Sequence, residues 1–286
     1  MKLNIIMKTV FFSVFVISFF RPISGYCQNA FETAINNKLD SLVNFESTDF
    51  EESMLYPNDA QQGIMIPLGW GGYGTYLFGG VGGSYPEVYT DNQLDLITTA
   101  GVSVGNPEKF ANFAASVNMT SPKRFTNFSA NVSVSRSVFW GSSITIGGLQ
   151  LFASDSISDA PDPTFFIAFS HSVQTMPSKT PDCSRLTYTV GIGSGRFALK
   201  SEEDILRGKG KYGTFVFGGI SYEIFQHVNV NAEWSGMNLG FSLGIRPFKT
   251  ALSFGIGVTD LTNYSSDKPS AIFSIGFPLS LNKYKY

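Results

Sequence analysis

Three successive segments near the C-terminus alternate apolar and polar side chains with a period of two. In 237–246 the odd positions are Met237, Leu239, Phe241, Leu243 and Ile245, and the even ones are Asn238, Gly240, Ser242, Gly244 and Arg246. In 252–259, Leu252, Phe254, Ile256 and Val258 alternate with Ser253, Gly255, Gly257 and Thr259. In 228–235, Val228, Val230, Ala232 and Trp234 alternate with Asn229, Asn231, Glu233 and Ser235. Neighbouring side chains of a strand point to opposite faces, so each segment has one wholly apolar face, whereas the 3.6-residue period of a helix would mix the two sets.

Register tests the pattern independently, because residues paired across an antiparallel ladder point to the same side of the sheet. A two-residue turn at Ser235-Gly236 pairs Trp234 with Met237 and Glu233 with Asn238. A four-residue connection, Pro247-Phe248-Lys249-Thr250, pairs Ile245 with Leu252 and Arg246 with Ala251. Apolar meets apolar in both hairpins, and in the first polar also meets polar.

The same reading back along the chain predicts about twelve strands, at 73–83, 93–104, 110–119, 127–136, 142–153, 164–173, 185–194, 213–224, 228–235, 237–246, 251–259 and 271–281. Lengths near ten residues suit strands tilted across a bilayer. Most connections alternate short and long, as between periplasmic turns and outward loops. Two break the rule: Ser235-Gly236 is tight where it should be long, and 174–184 is long where it should be tight.

Composition separates a membrane barrel from a soluble sandwich. Only 15% of residues are charged while 15% are aromatic, with 29 Gly and 27 Phe. The polar faces carry Gly, Ser, Asn and Thr where a water-facing sheet would carry Lys and Glu. Phe139, Trp140, Tyr212, Tyr222, Trp234 and Phe248 fall at strand ends, where interfacial girdles sit. The expected fold is all-β: an antiparallel transmembrane β-barrel of about twelve strands with a short N-terminal helical segment.

Residues 1–28 carry Lys2 and Lys8, an apolar run from Val10 to Phe20 and a polar exit ending at Gln28, the form of a cleaved secretory signal. Removing it takes away Lys2, Lys8 and Arg21, leaving 17 cations against 22 acids, a net charge of −5. That balance argues against nucleic acid as a partner, which needs a basic face. Cys183 is then the single cysteine, so no internal disulfide forms. Residues 29–68 follow as a periplasmic segment or plug, with Phe31, Ile35, Leu39 and Leu42 spaced as on a short amphipathic helix. The barrel takes 69–286.

In the last strand, Ser274, Gly276, Leu279 and Leu281 resemble the signal by which barrel-insertion machinery recognises its clients. A wider likeness runs over roughly 100–281: Gly101–Pro107, Gly191–Phe197, Ala232–Gly236, Asn238–Gly240 and Val258–Leu261 are similar to phrases of a Bacteroidota-type family of outer-membrane β-barrels. Some of its relatives are linked to exopolysaccharide export. The resemblance implies the fold, a Gram-negative outer membrane with its lipid as partner, and no catalytic residue.

Among residues that could carry chemistry, His171 and His227 are the two histidines, and neither has a serine or an acid at a position that the strand assignment makes adjacent. Enzymatic activity is therefore not expected, nor is a metal or another cofactor. Glu233 and Arg246 are lumen-facing charges about 26 Å apart along the strands, too far to pair. Asn131, Asn229, Asn231 and Asn238 belong to a neutral inward row that could hydrogen-bond hydroxylated solutes. The leading expectation is a passive channel for small polar solutes. The alternative is a closed barrel serving envelope polysaccharide or secretion machinery, favoured if residues 29–68 crowd the interior.

Overall fold

A computed structural model describes residues 54–87, 93–121, 126–153, 163–247, 251–265 and 268–281. The leader at 1–28 and the helical pattern at 31–42 lie outside the described residues. After a two-residue strand β1 (Tyr56–Pro57), six long strands follow: β2 (Tyr76–Glu87), β3 (Gln93–Gly105), β4 (Asn112–Ser121), β5 (Thr126–Phe139), β6 (Ser142–Leu151) and β7 (Thr164–Ser172). A second short strand, β8 (Cys183–Ser184), precedes β9 (Leu186–Gly193), β10 (Val216–Phe225), β11 (Val228–Trp234), β12 (Leu239–Ile245), β13 (Ser253–Thr259) and β14 (Ser270–Ser280). The twelve long strands close into one antiparallel barrel, in which β14 pairs with β2 through Ile275↔Val81, Phe277↔Gly79 and Leu279↔Leu77. The expected all-β barrel is the observed fold.

The alternation sorts side chains as a membrane requires. Leu77, Phe113, Val132, Phe165, Ile220, Phe241 and Ile256 are exposed on the outside, while Asn112, Ser135, Ser170, Asn229 and Asn231 are buried inside. An apolar belt around a whole barrel is compatible with lipid and not with water, which makes this a barrel of the outer-membrane kind. Short turns at Asn106–Ala111, Trp140–Gly141 and Gln226–His227 gather at the end where the chain enters β2 and leaves β14. By the usual polarity of such barrels this is the periplasmic end.

Both hairpin registers slide by two residues from expectation and so keep their parity. Trp234 pairs with Leu239, not Met237, because Ser235 and Asn238 close the turn: the Ser235 N–H donates to the Asn238 carbonyl at 2.9 Å, with Gly236 at φ +91° inside it. Ile245 pairs with Phe254, not Leu252. The two irregular connections also have structural reasons. The long periplasmic one carries β8, which pairs in parallel with β1 (Tyr56↔Cys183), and Gln174 binds the Leu55 main chain through both its amide atoms. The tight outward turn at Gly236 lies under the 194–215 loop, whose Thr214 N–H donates to the Gly236 carbonyl at 3.0 Å. That loop contains a helical turn, Gly195–Phe197, and a five-residue helix, α1 (Glu202–Leu206).

Candidate functional site

The expected first strand at 73–83 starts only at Tyr76, because residues 58–72 enter the lumen. No repeating pattern drives this segment; its main-chain groups find partners on the barrel wall. It rises along β11, where Asn229 donates from Nδ2 to Asn58 Oδ1 at 2.8 Å and Asn231 donates to the Gln61 carbonyl at 3.2 Å. At the top, the Glu233 carboxylate accepts the backbone N–H groups of Ile64 (2.9 Å), Met65 (3.0 Å) and Ile66 (3.2 Å). After Pro67 the chain descends past β7, where the Gly69 N–H donates to Ser170 Oγ at 2.7 Å, and past β4, where the Gly72 N–H donates to Asn112 Oδ1 at 3.3 Å. The segment is thus a re-entrant loop, entering and leaving at the periplasmic mouth.

Glycine makes the fit possible. A Cβ at Gly69 would lie 2.5 Å from both the Ser143 carbonyl oxygen and the Ser170 nitrogen, so the loop backbone rests directly on the wall backbone. Above it, Ile66 packs with Phe166, Ala168, Phe197 and Phe217 in a buried apolar cluster inside the barrel, with the Phe197 and Phe217 rings 4.5 Å apart. Phe197 comes from the outward loop, so loop and lumen segment meet across the barrel interior.

At the periplasmic mouth the segment is held at two points. Asp59 accepts from His227 Nδ1 at 2.7 Å and sits 3.8 Å from the Arg246 guanidinium. On the other flank, Tyr56 donates from Oη to Glu108 Oε1 at 2.7 Å, and Tyr73 donates to the same oxygen at 3.3 Å. The Tyr56 phenol is pushed up to about 12 by that hydrogen bond and then by burial; Tyr73 is pushed up to about 12 by burial and then by the Glu108 charge.

The structure therefore brings together Asn229, Asn231, Glu233 and Arg246 around one loop, at different depths. Glu233 faces the lumen as expected and is buried there at 1% exposure. Asn131 and Asn238 are elsewhere. Asn131 Nδ2 donates to Asn118 Oδ1 at 3.3 Å along the wall, and Asn238 donates to Asp260 and Ser265 in an outward loop, at 2.7 Å each. Ser274 faces the lumen and meets Gln61 Nε2 at 2.7 Å, while Leu279 and Leu281 are exposed. The loop itself could not be found by periodicity, since its hydrogen-bond partners on the wall lie 40 or more residues away in sequence, 171 in the case of Asn58 and Asn229.

Two further expectations are corrected. Both histidines have partners: His227 has Asp59, and His171 has Ser142, its cross-strand neighbour, with Ser142 Oγ 2.7 Å from Nδ1. The second contact follows from the β6–β7 register, which the strand positions alone did not supply.

No family model matches the chain, and no curated protein does. Solved structures similar to it include outer membrane phospholipase A from Escherichia coli, at 10% identity and TM-score 0.38 over 74% of this chain and 99% of that one. An active-site mutant of the same protein matches at 11% identity and TM-score 0.38, over 83% and 95%. The Salmonella typhi phospholipase dimer with bound calcium matches at 10% identity and TM-score 0.38, over 77% and 94%. The expectation that the chain is not an enzyme is overturned, because the lack of a serine beside a histidine on which it rested fails at Ser142 and His171. At these identities the likeness carries no substrate and no mechanism to this chain.

Proposed function

We propose that this chain is a bacterial outer-membrane barrel held closed by its own segment 58–72, an envelope component that does not conduct in its resting state. The observation that carries this reading is the Glu233 carboxylate, which takes three consecutive backbone N–H groups of the lumen segment. Charge-assisted hydrogen bonds of this kind are worth about 1.5–3 kcal/mol each, and here they act together inside a wall that contacts the segment on several strands. A role in envelope polysaccharide or secretion machinery is the assignment that the family resemblance suggests, with export through a leader at 1–28 and insertion through the Ser274, Gly276, Leu279 and Leu281 pattern.

The second reading is a channel for small polar solutes. The neutral Ser and Asn groups of the lumen wall favour it, and it requires segment 58–72 to leave. The Tyr56 and Tyr73 rings are 6.4 Å apart, so excision of 58–72 joins chain ends that already lie side by side. Planar-bilayer recording separates the two readings. The full chain is expected to be silent and the excised variant to give discrete steps; steady conductance by the full chain would sink the closed-barrel reading.

A further inference from the structure

The apolar exterior of the barrel has one ionisable corner. Among the side chains described in the twelve strands, and leaving tyrosines aside, only Arg136 and His171 are ionisable and face outward. Arg136 follows the buried, inward Ser135 on β5 and pairs with outward Ile144. His171 lies between the buried, inward Ser170 and Ser172 on β7 and pairs with Ser142 and Tyr188. The two are separated by β6 alone, about 10 Å across the sheet.

Their depth is set by the neighbouring periplasmic turn. Phe139 and Trp140, both more than half exposed, follow Arg136 within four residues. Phe139 packs on Phe169 at 5.8 Å, and the Tyr188 ring is 5.4 Å from the His171 imidazole. This aromatic patch is the expected frame of a lipid headgroup level. No ion pair or side-chain hydrogen bond joins Arg136 to another described residue, and His171 uses Nδ1 on Ser142.

A guanidinium on a lipid-facing wall needs a counter-charge, because burial of an unpaired cation is unfavourable and its long stem lets the head reach the interface. Other buried charges of this protein are matched from within, as Glu233 is by backbone N–H groups. Arg136 has no such match and is left to the surroundings, where phosphate is the anion at that depth. Its planar fork suits two phosphate oxygens at once, which an ammonium would not.

We propose that Arg136, with His171 beside it, binds the phosphodiester of a glycerophospholipid in the periplasmic leaflet. Native mass spectrometry of the full chain released from detergent tests this, with phosphatidylglycerol and the diacylglycerol of the same acyl chains as probes. Wild type is expected to retain phosphatidylglycerol and to release diacylglycerol. Arg136→Leu should lower phosphatidylglycerol retention roughly tenfold, the scale of one lost charge-assisted contact. Arg136→Lys, which keeps the charge and serves if the leucine variant fails to fold, should retain less than wild type and more than Arg136→Leu. His171→Leu should give a smaller loss. Equal retention by wild type and both Arg136 variants would overturn the site, as would diacylglycerol held as firmly as phosphatidylglycerol. A change in oligomeric mass without a change in lipid retention would equally overturn it, by assigning Arg136 to a protein contact.

Discussion

Glu233 holds Met65 by its main chain: carboxylate Oε1 accepts the Met65 N–H at 3.0 Å from a barrel wall 168 residues further along the sequence. Two flanking N–H groups share the same carboxylate, and Ile66 carries the apolar cluster on its far side. The top of the re-entrant loop is thus held by one acidic side chain, while Asn229, Asn231, Ser170 and Asn112 hold it lower down. Glu233→Ala removes the acceptor, and the barrel itself, held by twelve paired strands, should remain. Amide exchange at Ile64–Ile66 is expected to accelerate at least roughly tenfold, with intermittent conductance in bilayers. Unchanged protection at these three amides would show that the wall contacts below are sufficient.

Gly69 gives a steric test that leaves every charge in place. Its backbone lies against Ser143 and Ser170, with no room for a side chain. Gly69→Val should lift the descending arm of the loop and break its bond to Ser170, at a cost of about 1–3 kcal/mol as in other overpacked sites. The expected outcome is a lower thermal midpoint, with far-ultraviolet circular dichroism still that of a barrel. Gly208→Val is the control, since nothing lies within 4 Å there; its φ of +75° sets a small conformational cost of its own.

The barrel was legible in sequence because its physics is local. Alternation such as Phe241-Ser242-Leu243-Gly244 assigns faces from a few neighbouring residues, and parity survived a two-residue slip in both hairpins because a slip of two preserves sides. The lumen loop was not legible. Asn58, Ile64 and Gly69 have no shared period, and what places them is a set of backbone groups meeting wall side chains. Asn229 and Asn231 were readable as inward and polar, but an inward asparagine that binds solute and one that binds its own chain look alike until the partner is seen. The Ser142–His171 pair lies between these cases, since a committed β6–β7 register would have exposed it.

The two tyrosines at the mouth predict an alkaline transition. Both phenols are raised to about 12 from an unfolded value near 10. The stabilisation from their protonated forms is therefore complete below about pH 10 and is lost as pH rises through about 12. Phenolate absorbance near 295 nm should show two late-titrating tyrosines, and Glu108→Gln should bring the Tyr56 step down toward 10. Tyr73 should move less, because burial is its leading cause. A Tyr56 step that stays near 12 in the glutamine variant would contradict the assigned hydrogen bond.

Cys183 reports whether the loop is seated. It pairs with Tyr56 across the β1–β8 bridge, and burial, followed by the nearby Asp59 and Glu223 charges, pushes its thiol up to about 11. A thiol two units above its ordinary value of 9.0 carries roughly a hundredth of the usual thiolate, and alkylation proceeds through thiolate. At pH 7.5 wild type should therefore alkylate slowly, with Cys183→Ser as the blank. Lifting the loop draws Asp59 away and thins the cover over the thiol, leaving Glu223 in place on the wall, so Glu233→Ala and Gly69→Val should each speed the reaction, although neither residue touches the cysteine. Fast alkylation of wild type would refute the burial; slow alkylation in all three proteins would mean that the mouth stays closed when the upper loop is released, confining the effect of Glu233 to the lumen.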